Sequence, residues 1–223
     1  MKEVVLDTET TGLAVKDGHR IVEIGCIELE NLVPTKNKFH CYLNPERKVS
    51  ERALQVHGYT DDFLSTKKKF SDVVDDFLKF IENKKLVIHN AEFDLSHLNN
   101  ELKLLDRKKI NSENVVDTLT LARDKFPGSP TSLDALCKRY RIDNSKRTQH
   151  TALIDCDLLS KVYINLLDQK EPSLNFQSLD NVKVEINSEK TNQYYKQVVK
   201  PTKDELELHK NYLKTNLKRN FFN

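Results

Sequence analysis

Residues 4–13 read VVLDTETTGL. Val4, Val5 and Leu6 run straight into Asp7, Thr8 and Glu9, and two threonines and a glycine follow. In a strand, residues i and i+2 project to one face. Asp7 and Glu9 therefore share a side at the carboxyl end of a first strand, placed at 3–7. Such a pair is either a solvated strand end or half of a site, and the acids elsewhere in the chain must decide.

Working outward, RIVEIGCIEL (20–29) is rich in Ile and Val and partly alternates, and KFHCYL (38–43) reads as a third strand. Short loops between these three strands predict an antiparallel meander. The pattern then changes. SERALQVHG (50–58) has a Ser50 N-cap and stops at Gly58. Helical spacing recurs over 71–81, 92–105, 131–140 and 150–167, with strands at 85–90 and from 114, the latter turning into a helix by 119. Strands first, then strands alternating with helices, predict an α/β fold: a mixed sheet with helices packed on it. The apolar periodicity fades after Leu167. The expected organisation is a domain over 1–168, a linker over 169–201 and a helical segment within 202–223. In that last helix (202–218) Thr202 caps the start, Asp204 and Glu205 fill the first turn, and Lys214, Lys218 and Arg219 lie near the end, as the helix dipole favours. A short amphipathic helix on a tether docks on a partner.

The bulk numbers narrow the function. The chain has 223 residues and a formal net charge of only +2. No global basic field marks nucleic acid, so any such site is local or recruits its own cations. Cys26, Cys41, Cys137 and Cys156 form no C-x-x-C pair, which argues against zinc and fits a reducing, cytoplasmic setting. No apolar run reaches the roughly 20 residues of a membrane helix, and no secretory signal is expected.

Two further stretches carry acids. In HNAEFDLSHL, Asp94 falls just inside a helix that follows a buried strand, where the dipole favours a carboxylate. In HTALIDCDLL, His150 and Asp155 are five positions apart, about 140° if both are helical. They share a site only if His150 precedes the helix. Should all four acids converge, they would repel one another, and no Lys or Arg lies within these motifs. A divalent cation resolves the conflict. All-oxygen ligands select Mg²⁺ or Mn²⁺, and two such ions suit phosphodiester cleavage. His150 titrates near neutrality and is the candidate general base.

LDTETTGL, IHNAEFDLSHL and HTALIDCDLL together resemble the three exonuclease motifs of the DEDD family, in its His-bearing branch. Within it, VHGYTDDFL, VVDTLTLAR, SLDALCKRYRIDNSKRTQHTALIDCDLLSKVY and the tail PTKDELELH look like the epsilon-type proofreading subunits of bacterial DNA polymerase III. The resemblance implies a ribonuclease H-like fold, with a five-stranded mixed sheet flanked by helices. It implies 3′→5′ DNA exonuclease activity releasing nucleoside 5′-monophosphates. Asp7, Glu9 and Asp155 would hold one cation, and Asp7 and Asp94 the second. His150 would take the proton from the attacking water. Thr10 would lie against the terminal nucleotide. His57 either lines its pocket or is a buried, hydrogen-bonded histidine before Gly58. Asn90 either orients a phosphate or serves the strand edge. The implied partners are DNA with a 3′ end, the polymerase catalytic (alpha) subunit through the terminal helix, the sliding clamp through 171–176, and a small third core subunit. Two departures stand out: Glu171 in the clamp peptide's Gln place, and Thr151 where the family often has Gly. Two alternatives stay open, an RNA-trimming relative and an inactive polymerase–clamp bridge.

Overall fold

The computed structural model describes residues 2–145, 147, 149–168 and 200–216. The clamp-like peptide 171–176 and most of the expected linker lie outside them. The chain divides into two units, Met1–Leu174 and Asn175–Asn223.

In the first unit five strands form one sheet: β1 (Lys2–Thr10), β2 (Ile21–Glu30), β3 (Val33–Tyr42), β4 (Lys85–Ile88) and β5 (Val115–Asp117). Their order is β3-β2-β1-β4-β5. The first three pair antiparallel, and β4 and β5 add in parallel, so the sheet is mixed as expected. β1 is central. It pairs with β2 along its whole length but with β4 only at Glu3, Val4 and Val5, so it outruns its parallel neighbour.

Helices cover both faces. Val4 and Leu6 point into a core with α3 (Val74–Ile81) and α4 (Ala91–Leu104). Val5 points into a second core with α5 (Thr118–Lys125), α6 (Leu133–Tyr140) and α7 (Ala152–Leu166). This is why β1 and β2 read as near-continuous apolar runs: a strand covered on both faces loses its alternation.

The caps follow the residue chemistry. Ser50 caps α1 (Glu51–His57) by accepting from the Ala53 N–H, and Gly58 closes it at φ 77°. Thr60 caps the short α2 (Asp61–Ser65), Asp117 caps α5, Ser132 caps α6 and Thr151 caps α7.

Two strands differ from the sequence reading. β1 continues past residue 7 to Thr10, which places Glu9 inside the ladder opposite Glu23. β3 starts at Val33 rather than at 38. It is an edge strand, and Pro34, Lys36 and Lys38 give it the polar, Pro-bearing character that protects an edge but hides it from an apolar pattern. The turn before it has Asn31 at φ 50° and Leu32 at φ 65°, two successive left-handed residues as a tight hairpin requires.

In the second unit, α8 (Lys203–Asn216) opens with a reciprocal cap between Thr202 and Glu205. Leu206, Leu208 and Tyr212 on it are exposed. No helix among the described residues is long and apolar enough to cross a membrane.

Candidate active site

The sheet's pleat decides where the acids go. Even residues of β1 face the α4 side, and odd ones face α7. Asp7 and Glu9 thus stand on the face that α7 covers, where Asp155 also lies. Asp94 comes from the opposite side, on the first turn of α4. It reaches the others past the end of β4, where β1 has β2 on one side and no strand on the other. The Thr8 hydroxyl holds it there, donating to Asp94 Oδ1 at 2.7 Å.

Burial and neighbouring charge act on these acids. Burial and then the charges of Asp94, Glu9 and Asp155 push the Asp7 carboxyl well above its usual range. Burial, followed by Asp155 and Glu23, pushes Glu9 up to about 8. Burial lifts Asp94 to about 7 despite the Thr8 hydrogen bond. Ligand atoms of Glu9, His150 and Asp155 all lie within 4.8 Å of one another.

α7 begins at Ala152 with Thr151 as its cap, so His150 is on the preceding loop, as a shared site with Asp155 requires. Thr151 spends its hydroxyl on the Ile154 N–H, at 3.4 Å. The His150 N–H donates to the Val56 carbonyl at 3.3 Å, which ties the loop to α1.

One cation missing from the motifs is supplied by the fold. Arg147 Nε and Nη2 donate to Asp155 Oδ1 and Oδ2 at 2.6 and 2.8 Å, and Nη1 pairs with Asp134 at 2.7 Å. Burial pushes Asp155 up, yet His150 and Arg147 outweigh it and hold the carboxyl below its ordinary value. Arg147 Nη2 also donates to His150 Nδ1 at 2.8 Å, and that same Nδ1 faces Asp155 Oδ2 across 3.3 Å. A neutral ring accepts from Arg147, and a protonated one turns its N–H to Asp155.

Beside Glu9 opens a cavity of about 390 Å³, bounded by Thr10, Leu13, Val56, His57 and Phe93 among others. Thr10 spends its hydroxyl on the Gly12 carbonyl at 2.8 Å. His57 is a buried, hydrogen-bonded histidine before Gly58. Its ring is buried, accepts from the Tyr59 N–H at Nδ1 and donates from Nε2 to the Thr10 carbonyl, and it also lines the cavity. Burial lowers its pKa, which keeps it neutral. Asn90 is exposed, in a left-handed conformation at φ 71° before α4, and its N–H donates to Asp117.

Arg147, Thr8 and Phe93 were not found by sequence reasoning. Arg147 left one signal, a basic residue a single turn before His150. Thr8 and Phe93 left none, since their roles depend on where β1 outruns β4.

Comparison with known proteins identifies the family and the fold. The exonuclease family model matches residues 4–163. DNA polymerase III subunit epsilon of Rickettsia felis is 48% identical over 227 residues, covering 98% of each chain. That of Salmonella typhimurium is 51% identical over 170 residues, 73% of this chain and 70% of the relative. Among solved structures, exonuclease X in complex with 5′-overhanging duplex DNA superposes with a TM-score of 0.59 at 25% identity, covering 75% of this chain and 92% of the other. The nuclease domain of 3′hExo bound to rAMP reaches 0.66 at 18% identity, covering 76% and 92%, a likeness of fold. The chain belongs to the exonuclease family and, within it, to the DNA polymerase III epsilon subunits.

Proposed function

We propose that Asp7, Glu9, Asp94, Asp155 and His150 carry the 3′→5′ exonuclease reaction by which this chain proofreads for a replicative polymerase. The observation that carries the reading is geometric: ligand atoms of Glu9, His150 and Asp155 lie within 4.8 Å of one another, and Thr8 on β1 holds Asp94 at 2.7 Å; the upward push on Asp7, Glu9 and Asp94 supports it. Burial first, and for Asp7 and Glu9 the neighbouring acids as well, disfavours the charged forms of these carboxylates, which is an environment suited to added positive charge. The four acids offer hard oxygens, and among the described residues the group near enough to share a cation is Glu9, His150 and Asp155, with no cysteine, which fits Mg²⁺ or Mn²⁺ rather than zinc. Asp7, Glu9 and Asp155 would hold one cation, and Asp7 with Asp94 a second. When bound, the cations supply polarisation of the attacking water and of the phosphodiester.

The chain's own residues do the rest. The cavity beside Glu9 seats the 3′-terminal nucleotide against Thr10, His57 and Phe93. His150 accepts the proton of the attacking water at its ring nitrogen; Asp155 and Arg147 face the ring at Nδ1, and the Val56 carbonyl holds the loop backbone. The product is a nucleoside 5′-monophosphate.

The domain division extends this proposal. Residues 1–168 form the nuclease. α8 docks on the polymerase catalytic subunit through Leu206, Leu208 and Tyr212, and the setting is the cytoplasmic replisome. The clamp and third-subunit contacts are proposals of the same kind.

A 5′-labelled single-stranded DNA and an RNA of equal sequence, each digested with Mg²⁺ and with EDTA, test the reading. Metal-dependent shortening of DNA from its 3′ end is expected. Preference for RNA makes the chain a trimming enzyme, and a folded protein without activity makes it a bridge. Removing 170–223 is expected to leave the nuclease intact and abolish co-purification with the polymerase subunit.

A further inference from the structure

Glu23 lies on β2, fully buried, and no step of the reaction uses it. It sits directly opposite Glu9 in the β1–β2 ladder, and residues opposite one another in an antiparallel pair point to the same face. Two acids side by side under a helix repel, so this one adds to the crowding at the site. If it served packing alone, an apolar side chain would do so at less cost.

Its oxygens are fully engaged, by three different parts of the chain. His40 Nε2 on β3 lies 2.7 Å from Oε1. The Tyr59 hydroxyl, between α1 and α2, donates to Oε2 at 2.8 Å. The N–H of Ala152, the first residue of α7, donates to Oε2 at 3.0 Å. That N–H is one of the orphan donors of a helix start, where a carboxylate is also favoured by the dipole. Ala152 stands two residues after His150 and three before Asp155. The same stretch presses on β2 at Gly25, where an added Cβ would come within 2.6 Å of the Ala152 carbonyl carbon. Cys156 Sγ then reaches the Gly25 carbonyl at 3.2 Å.

We propose that Glu23 is a positioning residue for the exonuclease reaction: its carboxylate pins the start of α7 to the strand that flanks Glu9, and so fixes His150 and Asp155 against the β1 acids. Tyr59 ties the same oxygen to the wall of the nucleotide cavity, because the Tyr59 N–H bonds His57. The inference rests on the roles given above to His150 and Asp155. Its physical basis is reach rather than charge, since displacing a reacting group by about 1 Å costs on the order of 100-fold in rate.

Two substitutions separate reach from charge. Glu23→Gln keeps the length and can still accept from Ala152 and Tyr59, with His40 in its other tautomer. Glu23→Asp keeps the charge but pulls the oxygens back by one carbon–carbon bond. kcat and KM on a short single-stranded DNA, with thermal melts in Mg²⁺ to count folded molecules, are the readouts. We expect Glu23→Gln to stay within about threefold of native and Glu23→Asp to lose about 10- to 100-fold in kcat with KM little changed. In a His150→Ala background the Asp substitution is expected to cost much less, because it acts through a residue already removed. Overturning results are native kcat per folded molecule in Glu23→Asp, a larger loss in Gln than in Asp, or full additivity with His150→Ala. If native protein is inactive, or His150→Ala has no effect, the functional reading itself fails, which is a separate outcome.

Discussion

Arg147 meets Asp155 side-on, Nε to Oδ1 at 2.6 Å and Nη2 to Oδ2 at 2.8 Å. The guanidinium therefore takes both oxygens of an acid assigned to hold a cation. Arg147→Met is expected to lower the melting temperature in EDTA by roughly 6–20 °C, since removing one partner of a buried pair costs about 3–5 kcal/mol and each kcal/mol shifts a chain of this size by about 2–4 °C. Added Mg²⁺ should recover much of that loss, because divalent charge takes over the neutralisation. Melts of native and variant with and without Mg²⁺ check this; equal deficits in both conditions would refute it.

The raised acids set a pH dependence. Glu9 is lifted from 4.5 to about 8 and Asp94 from 3.8 to about 7. A folded pKa above the unfolded one means that the native state holds extra protons between the two. Their stabilisation is complete below about pH 4 and is lost as pH rises through about 7–8. Buried His57 and His89 are shifted down and push stability the other way, but only below about pH 6.5. Between about pH 6.5 and 8.5 in EDTA the melting temperature should therefore fall, by about 5–11 °C. Saturating Mg²⁺ should flatten the slope. Calorimetric titration with Mg²⁺ at pH 7 in buffers of different ionisation heat should register proton release.

Asp7→Asn separates function from stability at one position. It removes the acid most beset by its neighbours, with burial and Asp94 as the leading causes. Activity and Mg²⁺ affinity should both collapse, while the melting temperature in EDTA should rise. A variant that loses stability in EDTA would show that Asp7 is not held against repulsion.

His150→Ala should keep Mg²⁺ affinity within a few-fold and lose about 10²–10⁴-fold in kcat, as removal of a general base does. Its ligand atoms are near enough to Glu9 and Asp155 to bind a cation. Isothermal titration decides: a loss of affinity parallel to the loss of rate would make His150 a ligand instead.

Much of this architecture was legible in the sequence. The acidic pair of β1, the Ser50 and Asp117 caps and the Gly58 stop are local devices, and each forms where its residue types predict. The apolar spacing places the last long helix over 150–167, and helical geometry requires His150 to precede it only if it shares a site with Asp155; α7 begins at Ala152. What escaped is non-local. Arg147 reads as one more charge in a basic stretch until the fold turns it onto Asp155. Glu23 reads as the polar member of an alternating strand, yet it is fully buried. The first half of β3 carries no apolar pattern because an edge strand does not need one.

β4 stops at Ile88, and its ladder with β1 ends at Val5. The reaction centre occupies the space that a longer fourth strand would fill. Loop length after Ile88 is thus a fixed quantity in this enzyme: an inserted residue that prolonged the strand would zip up the gap through which Asp94 joins the other acids. Catalysis here is housed in a deliberate shortfall of sheet, and insertions that any surface loop would absorb become inactivating at that one junction.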